Sequence, residues 1–503
     1  MPSLSIRSAA CGFLILCLCA CSAGTAAPSA ASETSPSGGS IGTRTQPGAT
    51  VPDPTTTATF TSEPALEPLE RPLYRIEAIL DTRLTTGESG GLMSLTVREQ
   101  VTYTNHSASP IPELVLQFEP ARRKELFELQ SLSSNRASRS APAWIENAQL
   151  RIPLDAPLAP GETVSLRLEY RRGIAQENTV LGWNDYQIVL GNWYAFFPPY
   201  RDGKGWLAHA PGKVGEHLSF PYADFDIRFD VQGDSTYRLA ASGIEQEDET
   251  PHHFLFTGRS FALALTTQIP FTRMAGSVEI IGYTRPQYEA QGNFMTAIAA
   301  RSVEIFSERL GAYPHSRLTI LESELPDGME YDGLVFLNPD LFPYYAGNGA
   351  DYLTAITAHE TAHQWWYGRV GNDQAIDPWL DESFSVYSEL LFYERAYPSQ
   401  VGWWWWTRVD RYPSDQCVDH PIYQFIHFRD YVDAVYLRGA TMLHALRQRM
   451  GSQAHEESLR ELQSTGWGAV ITPADVFRIF QSHSAVPLYD IWDTYLCLPP
   501  PHA

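Results

Sequence analysis

Near residue 272 the apolar residues change period, and that change governs what the chain can become. From Arg71 to Phe271 they alternate. Ser94 to Tyr103, Glu162 to Tyr170, Phe225 to Val231 and Tyr237 to Ala241 place apolar and polar residues in turn, with Pro-, Gly- and Asp-rich breaks between. Successive side chains of a strand face opposite sides, so these runs make half-buried strands. Together they predict an antiparallel β-sandwich or saddle-shaped sheet. From about Val278 the spacing is helical. Phe294 to Leu310 reads as an amphipathic helix closed by Gly311, with Pro314 just beyond. A strand is expected at Arg317 to Glu322. Further helices are expected at Asp351 to Tyr367, Pro378 to Tyr397, Asp433 to Met450 and Pro473 to His483. Asp377 and Pro378 form a start signal, Asp as N-cap and Pro at the first helical position. The fold class is α+β and multidomain: an N-terminal antiparallel β-sandwich or saddle over 71–272, then a mainly helical part with a small sheet over 273–503.

The first 70 residues obey neither period. Four of the six cysteines, Cys11, Cys17, Cys19 and Cys21, sit in or beside the apolar run Ala9 to Ala20, which follows Arg7. The run is short for a membrane span and reads as the core of a signal peptide. Leu18-Cys19-Ala20-Cys21 resembles a bacterial lipobox, although Cys19 is unusual at its place. That likeness implies cleavage before Cys21 and a lipid on its sulfur. The alternative is plain secretion with cleavage between Ala20 and Ala27. Thirty-two of residues 22–60 are Ala, Ser, Thr, Pro or Gly, among 39 positions. Such a segment buries too little apolar surface to fold and is expected, over 22–70, to be a disordered tether. Residues 1–21 are then the signal peptide. The expected location is extracytoplasmic, held to a membrane through Cys21, or secreted if the lipobox is not used.

The chain carries 36 basic and 58 acidic side chains, a formal charge of −22. Residues 1–70 hold two arginines and five acids, so the acidity belongs to the folded part. A surface this negative argues against nucleic acid as a partner. Apolar residues make up 44% of the chain, enough for a large core. Cys417 and Cys497 are the remaining thiols, and either a disulfide or two buried thiols fits the sequence. Asn105-His106-Ser107 is a glycosylation sequon by letters alone.

The chemistry concentrates in His359-Glu360-Thr361-Ala362-His363. Two histidines four apart share a helix face and can reach one ion. Glu360 sits at the edge of that face, where a base must stand to take a proton from water. Eighteen residues separate His363 from Glu382, which falls early in the next expected helix. Two His and one carboxylate leave zinc an open position, as a hydrolytic site needs.

The stretch from His359 to Glu389, HETAHQWWYGRVGNDQAIDPWLDESFSVYSE, is similar to the zinc segment of the aminopeptidase N family of gluzincins. Two further motifs stand in family order. Asp327-Gly328-Met329-Glu330-Tyr331 resembles G-x-M-E-N, and Tyr436-Leu437-Arg438-Gly439-Ala440 resembles Y-x-K-G-[AS]. The resemblance implies that residues 273–503 form a thermolysin-like zinc peptidase domain with one Zn2+ on His359, His363 and Glu382. It implies Glu360 as general base and Tyr436 as hydrogen-bond donor to the oxyanion. It implies Glu330 as partner of the substrate's α-ammonium, with Gly328 and Met329 offering an edge strand for the peptide to extend. Glu389, two turns beyond Glu382, is expected to steady a zinc-bound histidine, with Asp381 as a second supporting carboxylate. The expected reaction removes the N-terminal residue of peptides with a free N-terminus.

The sequence departs from the family at Asp327 and Tyr331, which replace Gly and Asn, at Asp381 for Asn, and at Arg438 for Lys. The first two bear on the amine pocket. The chain ends soon after Tyr436, so the large helical C-terminal domain of many relatives is expected to be absent and the cleft open. Trp403 to Trp406 would point in all directions on a helix and serve the core, the cleft or a partner surface. Two other functions remain open: an endopeptidase or other zinc hydrolase on this scaffold, and a surface binding protein with a metal site and no turnover. Only turnover needs Glu360 and Tyr436.

Overall fold

The structure, a computed structural model, describes residues 71–500 apart from 86–90, 138–141, 234–235, 247–250 and 326–327. The signal peptide with Cys21, the tether and Asp327 lie outside the described residues. Glu70–Ala503 forms one compact unit.

The alternating half folds into a ten-stranded sheet faced by a three-stranded one. At its centre Leu92–Thr104 lies antiparallel to Leu73–Thr85 on one side and to Thr163–Gln176 on the other. Alternation fixes the buried face. Tyr74, Ile76, Ala78 and Leu80 point inward from one strand, and Leu95, Val97 and Val101 from the next. They meet the three-stranded sheet of Ile111–Gln117, Gln149–Leu158 and Trp144–Glu146 in one apolar core. The pairing is not wholly antiparallel. Leu73–Thr85 runs parallel to Ala223–Gln232, and Thr163–Gln176 parallel to Leu181–Trp183.

A hairpin, Ile269–Ala275 and Val278–Thr284, leads into the helical half and opens its five-stranded sheet. The sheet ends on the short edge strand Met329–Tyr331, antiparallel to Leu334–Leu337. Three helices build on it: α1 (Glu289–Leu310), α2 (Tyr352–Ala362) and α3 (Trp379–Ala396). Asp351 caps α2, its carboxylate accepting from the Thr354 amide at 2.8 Å. Residues 379–393 of α3 are all buried, as in a helix enclosed by its own domain. Among the described residues no helix is long and apolar enough to cross a membrane.

Four helices differ in their bounds from expectation. α1 starts at Glu289, five residues before Phe294. α2 stops at Ala362 instead of Tyr367, because the chain turns to form the Trp366–Val370 bridge and Tyr367 takes φ +124°. α3 starts at Trp379 with Pro378, not Asp377, in the cap position. The helix expected from Asp433 begins at Phe428 and passes through a π-helical stretch, Val432–Arg438, before Gly439–Met450. That stretch is where Ser383 Oγ of α3 donates to the Val435 carbonyl at 2.6 Å. Gly439 permits the approach, since a Cβ there would lie 1.9 Å from the same Oγ. Cys417 and Cys497 are joined in a disulfide that ties residues 411–427 to the end of the chain.

The two halves are pinned through Arg259. Its buried guanidinium donates to the carbonyls of Phe220 and Ala469, and its amide donates to Asp332 at 2.9 Å.

Candidate active site

Helices α2 and α3 cross where the two histidines and Glu382 meet. His359 Nε2 and His363 Nε2 stand 3.4 and 3.5 Å from Glu382 Oε2. All three side chains are buried. The other ring nitrogens are engaged. His359 Nδ1 is 3.0 Å from Glu389 Oε1, and His363 Nδ1 is 3.1 Å from the Trp366 carbonyl. Both partners accept, so both Nδ1 atoms carry the proton and both Nε2 atoms turn lone pairs inward. Those Nε2 atoms are only 3.1 Å apart, and Glu382 Oε2 between them has no hydrogen-bond donor. Two lone pairs and a carboxylate converging in a buried space call for a cation. Two imidazole nitrogens and one carboxylate form a donor set that suits zinc.

The electrostatics favour positive charge in this space. Burial opposes ionisation of Glu382, but His363 and His359 outweigh it and hold the carboxyl at about 2. Burial also works against a charged His359, and Glu382 and Glu389 overcome it, raising the imidazole. Burial pushes Glu360 up to about 7. Glu389 is held below the usual carboxylate range, against burial, by Arg408 and His359. Its carboxylate accepts from Arg408 Nη2 at 2.9 Å and Trp404 Nε1 at 2.8 Å.

Glu360 faces the edge strand. A Cβ on Gly328 would stand 2.5 Å from Glu360 Oε1, so only glycine leaves room for the carboxylate. Glu330 is buried on the same strand, and burial raises its carboxyl while His363 opposes the rise. Gln374 Nε2 donates to Asp381 Oδ2 at 3.0 Å and lies 3.4 Å from Glu330 Oε1, linking two acids. Asp381 also accepts from the Glu382 amide at 2.8 Å, which fixes the start of α3. Met329 lies half-exposed at the beginning of the strand. Tyr436 stacks on His359 with ring centres 5.9 Å apart and planes 14° from parallel. Burial raises its hydroxyl well above the usual value, with Glu382 adding to the rise.

The departures from the family pattern have structural reasons at two positions. Tyr331 fills space over Gly191 of the β-rich half, where a Cβ would sit 2.1 Å from its hydroxyl oxygen. Arg438 donates to the carbonyls of Ser414 and Thr494, at 2.9 and 2.8 Å, and so secures the tyrosine's helix. The tryptophan run divides its work. Trp404 is buried against Glu389, Trp405 packs edge-on against His444, and Trp406 is 70% exposed.

Several residues of the site carry no signal that the sequence reading used. Gln364 donates to the Tyr331 carbonyl at 3.2 Å and accepts from the Gly333 amide at 2.8 Å, tying α2 to the edge strand. Gln374, Trp404, Arg408 and Tyr431 were likewise missed. Gln364 directly follows His363, and this adjacency was the available clue.

Residues 296–495 match the peptidase family M1 domain. Aminopeptidase M1-B of Oryza sativa subsp. japonica is 24% identical over 233 residues, covering 42% of this chain and 26% of the relative. Human endoplasmic reticulum aminopeptidase 2 is 24% identical over 200 residues, covering 37% of this chain and 21% of its own length. The chain thus spans about a quarter of the length of these curated relatives. A solved M1 zinc metallopeptidase from Deinococcus radiodurans aligns over 82% of this chain and 90% of its own, with TM-score 0.56 and 21% identity. That likeness concerns the fold, a sheet-rich part followed by a helical one. The matched stretch encloses the two histidines and Glu382, so residues 296–495 carry a peptidase family M1 domain, the domain of the aminopeptidase N family.

Proposed function

We propose that the protein is a zinc aminopeptidase that hydrolyses the first peptide bond of peptides with a free N-terminus. His359, His363 and Glu382 hold the ion. Zinc so placed would polarise the scissile carbonyl and make water a better nucleophile. Glu360, beside the site and with its pKa raised by burial, takes a proton from the attacking water and delivers it to the departing amine. Tyr436 donates from its hydroxyl to the developing oxyanion. Glu389 keeps His359 in the tautomer that offers Nε2. Met329–Tyr331 lends its free edge to the peptide, as an added strand would use it.

One observation carries the exopeptidase reading. Glu330 is a buried carboxylate on the edge strand that Glu360 faces, with Gln374 Nε2 3.4 Å away, and close enough for His363 and Glu382 to influence its charge. An α-ammonium answers a buried carboxylate there, and an acylated terminus leaves it unpaired. The test compares aminoacyl fluorogenic amides with their N-acetyl forms on the zinc-loaded protein. Free-amine substrates are expected to be cut and acetylated ones spared. Equal rates on both would make the protein an endopeptidase or another hydrolase. One bound zinc without turnover of either would make it a binding protein.

The membrane anchor is part of the proposal and is supported by residues 9–22 alone. Fatty-acyl labelling that is lost in Cys21→Ala is the expected result.

A further inference from the structure

The outward face of the ten-stranded sheet holds a trough that the peptidase chemistry does not use. It measures about 490 Å³ and crosses five neighbouring strands, on the side away from the apolar core. Register arranges its floor in two rows. In one, Arg75 stands opposite Gln100, Gln100 opposite Arg167, and Arg167 opposite Ser133 of the strand Phe127–Ser134. In the other, Glu77 stands opposite Arg98, Arg98 opposite Glu169, and Glu169 opposite Ser131. The second row is partly closed, since Arg98 Nε donates to Glu169 Oε1 at 3.0 Å. The first is open. Among the described residues, the side chains of Gln100, Arg167 and Ser133 make no hydrogen bond or ion pair, nor do those of Glu77 and Ser131. Arg75 is 3.8 Å from Asp226, whose carboxylate already meets His253 Nε2 at 2.9 Å.

The free groups define the ligand. Arg75 and Arg167 stand two strand spacings apart, about 9–10 Å, and present guanidiniums to carboxylates on one molecule. Gln100 and the serines add neutral donors and acceptors suited to hydroxyl groups. Glu77 requires a donor, which a phosphate chain lacks. A peptide gains most by pairing with a free strand edge, whereas this floor is a sheet face whose main-chain groups are already paired. The described lining has no aromatic ring to grip an apolar side chain. A chain of uronic-acid sugars meets every term, with carboxylates for the arginines and hydroxyls that both donate and accept.

We propose that this trough binds an acidic oligosaccharide built of uronic-acid sugars. Arg75, Gln100, Arg167 and Ser133 hold it, and Glu77 accepts from a sugar hydroxyl. The chain as a whole, at −22, repels polyanions. The trough inverts that sign locally, with arginines 75, 98, 167 and 228 against the outward carboxylates of Glu77, Glu169 and Asp226. Its lining comes wholly from the β-rich half, and the metal ligands come from α2 and from Glu382 of α3. Occupancy of the trough therefore docks the protein on a polymer without filling the peptidase site.

Calorimetry on the zinc-loaded protein at low ionic strength tests this with trigalacturonate, its methyl ester, triglutamate and inorganic phosphate. The wild type is expected to bind trigalacturonate at least about tenfold more tightly than the other three. Arg167→Ala is expected to weaken that binding about tenfold, and Arg167→Lys to recover part of it. Both variants are expected to keep the wild-type melting temperature, because Arg167 is exposed and unpartnered among the described residues. Absent binding of trigalacturonate, or binding that Arg167→Ala leaves unmoved, overturns the assignment. Equal or tighter binding of triglutamate would make the trough a site for acidic peptides. Equal binding of phosphate would make it a general anion site, and equal binding of the ester would remove the arginines from recognition. Each of these three results overturns the proposal as well.

Discussion

His359 presents Nδ1 to Glu389 at 3.0 Å, and Glu389 is held on its far side by Arg408 and Trp404. The histidine's orientation is therefore set from a helix position two turns beyond Glu382. Glu389→Gln removes the charge that favours an Nδ1 proton and frees the amide to rotate. Zinc affinity is expected to fall by about 10–100-fold, as for other outer partners of metal-bound histidines. Competition against a chelator of known affinity measures it. An unchanged affinity in the folded variant would show that Glu389 serves only Arg408.

Gly328 and Glu360 are in contact through the absence of a side chain. Gly328→Ala forces the Glu360 carboxylate away from its place, because the new Cβ would lie 2.5 Å from Oε1. Misplacing a catalytic group by about 1 Å can cost on the order of a hundredfold in rate. The expected result is a kcat lowered by that order with zinc content intact. Glu360→Gln should lower kcat further still while retaining zinc. If Gly328→Ala keeps the wild-type kcat, the carboxylate is not where the reaction needs it.

The cystine is a third point of leverage. Cys417 and Cys497 close a loop of sequence separation 80, and Val418 also donates its amide to the Tyr495 carbonyl at 3.0 Å. The enclosed chain includes Tyr431 and Tyr436. A double Cys→Ser variant is expected to lose about 2–4 kcal/mol of stability, by chain-entropy arguments. Denaturant titration with and without reductant reads this directly. Equal midpoints for both proteins under oxidising conditions would contradict it.

What the sequence made legible follows from range. His359, Glu360 and His363 share one helical face, and Glu382 opens the next helix, so linear spacing was enough to group them. Glu389 was reachable by counting two turns. Trp404 and Arg408 were not, because they come from a following helix whose packing angle no periodicity encodes. The pairing of Leu73–Thr85 with Ala223–Gln232 was hidden for a related reason. Alternation says which face of a strand is buried and is silent on its neighbour. Gly215 meets Tyr431 across more than 200 residues of chain, and only the tertiary fold brings them together.

Glu99 offers a test far from the metal. It sits on the buried face of Leu92–Thr104, among residues that otherwise alternate as apolar. Its Oε2 accepts from the Ala195 amide at 3.1 Å, and its Oε1 has no partner. Burial raises the carboxyl to about 8, which the Ala195 hydrogen bond only partly opposes. The folded protein therefore keeps this proton in a range where the unfolded chain, with an ordinary carboxyl near 4.5, has released it. Stability from this group is complete below the unfolded value. It falls as pH rises toward about 8, at up to about 1.4 kcal/mol per unit. Glu99→Gln keeps an acceptor for Ala195 and cannot ionise. Its melting temperature should decline less between pH 5 and pH 8 than that of the wild type, and the two curves should separate most at the alkaline end. Parallel curves over that range would mean that Glu99 is ionised in the native core and paired through a rearrangement of the neighbouring Trp193–Phe197 segment.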